Sequence, residues 1–317
     1  MIHQSILQAI GATPIVRLPA LSSELNVNVF AKLESLNPGG SHKVRIAYAM
    51  VQNAEMQGVL TRGSGQTVIE PSGGNTGIGL AMVCNNLGYN LILVIPDNYS
   101  IQKQQLLRLY GATVVQSDSS RGNNSHGEKA MELQLKNPEY VMLNQQRNTA
   151  NPEIHRNTTA QEIVSDFCDA DIDCFVSGIG TGGHITGIGE VLRQHWSHVK
   201  IIGVEPSQCS LKNNIHAPHK IQGLSIGLVP PILNLDIVDE MVGVNYEDCV
   251  RMASTTLKTD SISVGLSSAA NLVAVKRIAA TLSTGSNILT MVYDGIESYV
   301  PEITQLGAEL YEHPCTA

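Results

Sequence analysis

The segment Asn37-Pro38-Gly39-Gly40-Ser41-His42-Lys43 decides how this chain is read. Pro38 and the glycine pair break the backbone, and a helix starts at about Ser41 with Val44, Ala47, Val51 and Ala54 on one face. Lys43 therefore sits in the first turn of a helix, where the macrodipole favours anions over cations. Taken alone, such a lysine reads most simply as an exposed surface residue. An amine condensed with a carbonyl shares or loses its charge, and the conflict with the dipole then weakens.

Two further loops have a related character. Pro71-Ser72-Gly73-Gly74-Asn75-Thr76-Gly77 joins a strand to a helix, so its N–H groups and hydroxyls can converge on a carboxylate or a phosphate. Read blandly, it is an ordinary glycine-rich turn. Gly178-Ile179-Gly180-Thr181-Gly182-Gly183 is again strand, loop and helix, and it matches G-x-G-x-x-G. Glu205 ends the next strand, as in the dinucleotide-binding fingerprint, so a nicotinamide-dependent oxidoreductase is a rival reading of this loop alone. The same geometry suits one phosphate monoester. A dinucleotide enzyme leaves Lys43 and Ser72–Gly77 without a purpose.

Around these loops, short β-branched runs alternate with helix-period segments, the signature of a parallel α/β sheet. Strands are expected at Thr67–Glu70, Leu91–Ile95, Thr113–Gln116, Tyr140–Leu143, Cys174–Ser177, Lys200–Glu205 and Ile288–Tyr293. Helices are expected at Asn75–Leu87, Ile101–Tyr110, from Asn151 through about Phe167, and at Ile185–Gln194, Tyr246–Lys258 and Ser267–Leu282. The pattern restarts at Asn151-Pro152, and a long irregular stretch runs from Pro206 to Leu235. A length of 317 residues suits two lobes, expected as 40–145 and as 1–39 plus 146–317, with a ligand cleft between them.

Bulk chemistry narrows the class. A formal charge of −8 with no Lys/Arg cluster argues against nucleic acid or an anionic membrane as the main partner. Apolar runs are strand-length, and the N-terminus shows no signal-peptide pattern. The six cysteines include no Cys-x-x-Cys pair, which reads as reduced thiols in a cytoplasmic enzyme with no structural metal. His195 and His198 lack companion ligands and read as surface residues.

Taken in order, the loops resemble the fold type II family of pyridoxal-phosphate enzymes, in particular cysteine synthase and the cystathionine β-synthase core. The resemblance spans nearly the whole chain. It includes Gly11-Ala12-Thr13-Pro14-Ile15-Val16-Arg17-Leu18, Asn37–Lys43, Glu70–Gly77 and Ala150-Asn151-Pro152-Glu153-Ile154-His155. It continues through Gly180–Gly183, His219-Lys220-Ile221-Gln222-Gly223 and Gly265-Leu266-Ser267-Ser268.

The resemblance implies a two-domain α/β fold like the tryptophan synthase β chain, with the site in the interdomain cleft. It implies pyridoxal 5'-phosphate on Lys43, with Asn75 at the 3-hydroxyl and Gly180, Thr181, Gly182, Gly183 and His184 around the phosphate. Ser267 would face the pyridine nitrogen. Ser72, Gly73, Gly74, Thr76, Gln145, Gln146, Gly223 and Ser225 would surround the amino-acid substrate. The implied reaction is β-replacement on an O-activated L-serine: elimination through an aminoacrylate, then addition of sulfide or another nucleophile. Alternatives are synthesis of a nonstandard amino acid, or elimination to pyruvate and ammonia. A homodimer and a serine acetyltransferase-type partner are also implied.

Several positions depart from the family pattern. Val44 stands where an Asp is usual, which is expected to loosen polar contacts beside Lys43. Gly73 stands in the usual Thr-Ser-Gly-Asn loop, losing a hydroxymethyl donor and opening space. Gln146 replaces a Phe, and Leu224-Ser225-Ile226-Gly227-Leu228 replaces Ile-Gly-Ala-Gly-Phe. His184 replaces a Thr and still has a donor for phosphate, and Ala269 replaces a Gly. The exposed reading of Arg147 is preferred to one in which it recognises an anionic substrate.

Overall fold

The computed structural model describes residues 2–122 and 124–304. In chain order the strands and helices are β1 Ile15–Arg17, α1 Pro19–Leu25, β2 Asn28–Leu33, α2 Lys43–Met56, β3 Thr67–Glu70, α3 Asn75–Leu87 and β4 Asn90–Pro96. Then come α4 Ile101–Leu109, β5 Thr113–Ser117, α5 Ser125–Lys136, β6 Val141–Met142, α6 Ala150–Ile154, a π-helical turn His155–Thr159 and α7 Ala160–Asp166. The chain continues through β7 Cys174–Gly178, α8 Gly183–His195, β8 Lys200–Pro206, β9 Glu240–Val244, α9 Tyr246–Thr259, α10 Leu266–Ala279 and β10 Asn287–Val292.

The chain divides into two compact units, residues 1–11 with 37–154, and 12–36 with 155–317. The first unit holds a four-stranded parallel sheet, ordered β5-β4-β3-β6. From β3 the chain runs outward to β4 and β5, then returns through α5 to place β6 on the other side of β3. The order therefore reverses between β3 and β6. In an open parallel sheet, the strand ends on either side of such a reversal leave room for a ligand.

Helix α3 packs on this sheet, and α2 packs against α3. Val44, Ala47, Val51 and Ala54, the expected apolar stripe, are all buried with Leu80, Val83, Cys84 and Leu93. Gly79 sets the spacing between the two helices. A Cβ placed there would lie 3.0 Å from Val44 Cα and 3.2 Å from Lys43 O, against main chain that cannot swing aside. Four residues earlier on α3 is Asn75, about 6 Å along the axis. The helix contact thus carries the amino end of α3 to the lysine turn. Val44, in place of the usual Asp, is a core residue with 1% exposure. The position holds packing rather than the polar contacts expected to loosen.

The second unit holds a six-stranded sheet ordered β1-β2-β10-β7-β8-β9. Its pairs are parallel except β1 with β2, an antiparallel pair that the sequence reading did not anticipate. Here the order reverses between β10 and β7. Helix α10 is buried along most of its length against one face of this sheet. Phe175, Ile185, Ile188 and Leu192 pack on the other.

The expected helix over residues 151–167 exists but is interrupted by the π turn, where His155 Nδ1 lies 3.0 Å from Thr159 Oγ1. No helix among the described residues is long and apolar enough to cross a membrane. Cys84, Cys174, Cys209 and Cys249 are buried free thiols and Cys168 is an exposed one, while Cys315 lies outside the described residues. His195 and His198 are exposed.

Gly79→Val drives a β-branched side chain into the α2 main chain. Overpacking of this kind costs about 1–3 kcal/mol, to be read as a lower urea midpoint with an unchanged slope.

Candidate active site

In the first unit the lysine turn is built from main chain. Gly39 and Gly40 adopt φ of +80° and +75°, a left-handed pair that reverses the chain and that β-carbon-bearing residues resist. Gly40 N–H donates to Asn37 O (2.9 Å), and the Asn37 side chain accepts from Gly11 N (2.9 Å). The Gly11 motif is thus tied to the lysine loop. Lys43 is the first residue of α2, within the first turn as expected, and the helix begins two residues after Ser41.

The loop after β3 is organised by Glu70, the last strand residue, which is 1% exposed. Its two carboxylate oxygens accept from Asn144 N (2.8 Å) and Gln145 N (2.9 Å), the loop that follows β6. Asn151 Nδ2 donates to Gln145 O (2.8 Å) from the other side. The Gln145 side chain in turn accepts from Thr76 Oγ1 (2.8 Å). Two residues chosen from sequence for one substrate group are therefore bonded to each other. Burial pushes the Glu70 carboxyl up to about 7, with the backbone donors at Gln145, Asn144 and Leu143 pulling the other way. Glu70 carries no reactive role in the sequence reading, and its position as an acid closing an apolar strand before a glycine-rich loop was the available signal.

Helix α3 begins at Asn75 with no side-chain cap from Gly74, so its first-turn N–H groups face the loop Ser72–Gly74. Gly73 does not open space. A Cβ there would lie 2.7 Å from Ile95 Cγ2 and 2.8 Å from Tyr99 Cε1. The volume expected to be vacant is filled from the neighbouring strand end. Gln146 is half-buried beyond Gln145, and Arg147 is exposed.

In the second unit the glycine loop joins β7 to α8. Gly182 has φ +83°, and a Cβ on it would lie 2.6 Å from Leu233 Cβ. A Cβ on Gly180 would run into Gly223 O. No side chain fits at either position, so the loop presents main chain and the buried Thr181 to the first turn of α8. The segment Gly223–Ser225 is bound to the loop through Ser225 N–H to Ile179 O (2.8 Å). Ser225 is held at φ +42° with a buried hydroxyl that makes no hydrogen bond among the described residues. A cradle closed to side chains, a helix amino end and an unsatisfied buried hydroxyl beside them are what a phosphate group requires.

The His184 ring lies in the interior. Its centroid is 4.8 Å from His155 and 5.2 Å from Tyr293, both edge-on, and Nδ1 is 3.2 Å from Ser177 Oγ. Ser177 Oγ meets Tyr293 OH at 2.9 Å, and Gly178 N–H donates to the same phenol oxygen at 2.9 Å. This buried polar row supports the floor of the loop. Ser267 stands in the first turn of α10, and its neighbour Ser268 Oγ accepts from Tyr293 N (2.9 Å). Tyr293 follows β10 directly and β10 pairs with β7. Ser267 and Gly180–Gly183 therefore share the carboxyl end of the sheet at its reversal point. Ala269, where the family has Gly, is fully buried without disturbing this turn.

Glu205, the acid of the dinucleotide reading, is also buried, and its Oε2 accepts from Leu211 N at 2.7 Å. It is committed to the chain's own backbone.

Each unit thus presents a glycine-rich loop and a helix amino end at the reversal point of a sheet, the place where α/β enzymes commonly bind ligands. A model of the pyridoxal-phosphate-dependent enzyme family matches residues 6–294, and the chain belongs to that family. It is 37% identical over 297 residues to a cysteine synthase of Staphylococcus aureus, covering 93% of this chain and 95% of the relative. The crystal structure of an O-ureido-L-serine synthase is similar, with a TM-score of 0.93, 35% identity and coverage of 99% and 98%. That of a hydrogen sulfide-producing enzyme from Fusobacterium nucleatum gives 0.89, 34%, and 94% and 98%. The nicotinamide-dependent reading is thereby replaced, and the protein is a pyridoxal 5'-phosphate enzyme of fold type II.

Two outcomes follow from this geometry. Gly73→Ser loses stability or displaces Tyr99, costing about 1–3 kcal/mol in a urea titration, whereas a vacant site would accept the hydroxymethyl at no cost. Glu70 has a folded-state pKa raised above its unfolded value of 4.5, so its contribution is full below pH 4.5 and is lost as pH rises toward 7. The stability of the wild type relative to Glu70→Gln therefore falls across that window, measured by denaturation at several pH values.

Proposed function

We propose that the protein catalyses β-replacement on an O-activated L-serine, O-acetyl-L-serine or O-phospho-L-serine, with sulfide or another small nucleophile. The observation that carries this reading is the Thr76–Gln145 hydrogen bond. It joins the loops that follow β3 and β6 into one polar surface with the amino end of α3, a receptor for an α-carboxylate. In this reading the first unit supplies Lys43, Asn75 and the carboxylate loop, and the second supplies the phosphate cradle Gly180–His184 together with Ser267, Gly223 and Ser225.

Pyridoxal phosphate, when bound, supplies an electron sink for negative charge at the α-carbon of the amino acid. Lys43 Nζ would hold the cofactor and would serve as the base for the α-carbon proton of the amino acid. Ser72, Thr76 and Gln145 hold the substrate carboxylate, and Asn75 would orient the cofactor ring at its 3-hydroxyl. Ser267 would offer a neutral hydroxyl to the ring nitrogen, which would suit elimination at the β-carbon better than transamination. Gly73, Gly74 and Gln146 bound the space for the substrate side chain and the incoming nucleophile. Similarity to both a cysteine synthase and an O-ureido-L-serine synthase supports serine-derived chemistry and leaves the nucleophile to experiment. A homodimer, a serine acetyltransferase-type partner and a cytoplasmic location complete the proposal. Light scattering of the purified protein checks the first against the 34.0 kDa chain.

The purified protein is expected to be yellow, with Lys43→Ala losing the visible band of lysine-bound cofactor. Mixing with O-acetyl-L-serine, O-phospho-L-serine, L-serine or L-cysteine shifts that band for the accepted leaving group. Nucleophiles added in turn identify the product by mass. A colourless protein that takes up no pyridoxal phosphate, or a band that no serine derivative moves, overturns the assignment.

A further inference from the structure

The Gly73 position in the carboxylate loop has no side chain, and what occupies its place comes from elsewhere in the chain. Tyr99 lies just beyond the end of β4, on the segment leading to α4. Its ring edge stands 2.8 Å from where a Gly73 Cβ would be, and its hydroxyl 3.7 Å from where a Gly74 Cβ would be. The phenol is thus laid along the two residues just before the first turn of α3. The segment is anchored at both ends: Tyr99 N–H donates to Pro96 O (3.1 Å), and Gln104 Nε2 donates to Tyr99 O (3.0 Å). Lys103 Nζ lies 5.9 Å from the ring centroid. Tyr99 Oη makes no hydrogen bond among the described residues, and the ring is half-buried, so the donor faces the loop unengaged.

We infer that Tyr99 is a substrate-contacting, specificity-determining residue whose hydroxyl donates to the α-carboxylate of the amino acid, replacing the hydroxymethyl absent at Gly73. The inference rests on the proposed role of Ser72–Thr76 as the carboxylate receptor. Geometry explains why the two changes belong together. A serine at position 73 and a tyrosine ring at this distance exclude each other, so the donor is carried by one or by the other. Burial pushes the phenol up to about 12, so the group stays protonated and able to donate across the working pH range. A phenol also reaches the carboxylate from a rigid ring with two rotatable bonds, leaving less side-chain entropy to lose on binding.

The test uses the holoenzyme and two probes, L-serine and L-serinamide, which differ in the charge of the group Tyr99 meets. Binding is followed by the shift of the cofactor band. Tyr99→Phe keeps the ring and the packing and is expected to weaken L-serine roughly 10-fold, a hydrogen bond to a charged acceptor. L-serinamide is expected to weaken less than about 3-fold, since a neutral acceptor holds the hydrogen bond less strongly. With an O-activated serine as substrate, KM rises while kcat changes little. Equal weakening of both probes, or no change in either, overturns the assignment, as does a fall in kcat with KM unchanged. If Tyr99→Phe perturbs folding, the cofactor band and urea midpoint reveal it. Tyr99→Leu, which also lacks the hydroxyl, must then show the same split between probes or the assignment fails. A wild-type enzyme whose band responds to no serine derivative takes down the β-replacement reading and this inference together. A responding wild type with an indifferent Tyr99→Phe takes down only the inference.

Discussion

A parallel sheet has no hairpins, so the loops at its carboxyl ends must be linked by contacts between residues distant in the chain. In the first unit that link is the buried carboxylate of Glu70, whose two oxygens hold the N–H groups of Asn144 and Gln145. Remove it and the loops after β3 and β6 have no common reference, and the Thr76–Gln145 bond loses its support. A carboxylate is an unusual choice for so buried a place, and its raised pKa records the cost of desolvation. Two backbone donors on one planar acceptor fix both distance and orientation, which a single neutral hydrogen bond does not.

The second unit solves the same problem with a neutral group. Tyr293, just after β10, places its phenol oxygen on Gly178 N and Ser177 Oγ at the end of β7, while its own N–H is held by Ser268. The cradle and the turn bearing Ser267 are thereby locked to one another. Exclusion of side chains by Gly180 and Gly182 then leaves a surface made of main chain, rigid because the neighbours Gly223 and Leu233 already fill the space behind it.

The departures from the family pattern sort by where they sit in this framework. Val44 and Ala269 are core substitutions that the surrounding packing absorbs. His184 joins the buried row with Ser177, His155 and Tyr293. Gly73 differs from these because the place of its missing side chain is taken by Tyr99, from the segment between β4 and α4. A change paired with a spatial partner, at the loop proposed to bind substrate, is the one with consequences for recognition.

Much of this protein was legible in one dimension. The strands flanking the glycine loops, the position of Lys43 at a helix start and the alternation of parallel α/β units follow from local chemistry. β-Branched runs, glycine breaks and helix-period stripes act over a few residues. Strands β1, β2 and β9 were not legible, because short strands are stabilised by neighbours distant in the chain, as where β10 receives β2 on one side and β7 on the other. The same distinction applies to the site. Lys43, Ser72–Gly77 and Gly180–Gly183 stand in glycine-rich segments whose signal is local, while the parts expected of Asn75 and Ser267 come from the family resemblance alone. Glu70, Tyr99 and Tyr293 could not be assigned their parts, since each acts on a loop tens of residues or more away. Sequence alone determined which cofactor chemistry the loops were made for. Tertiary structure alone decided that the space beside Gly73 is full, because which atoms occupy a vacated volume depends on how the strand ends are brought together.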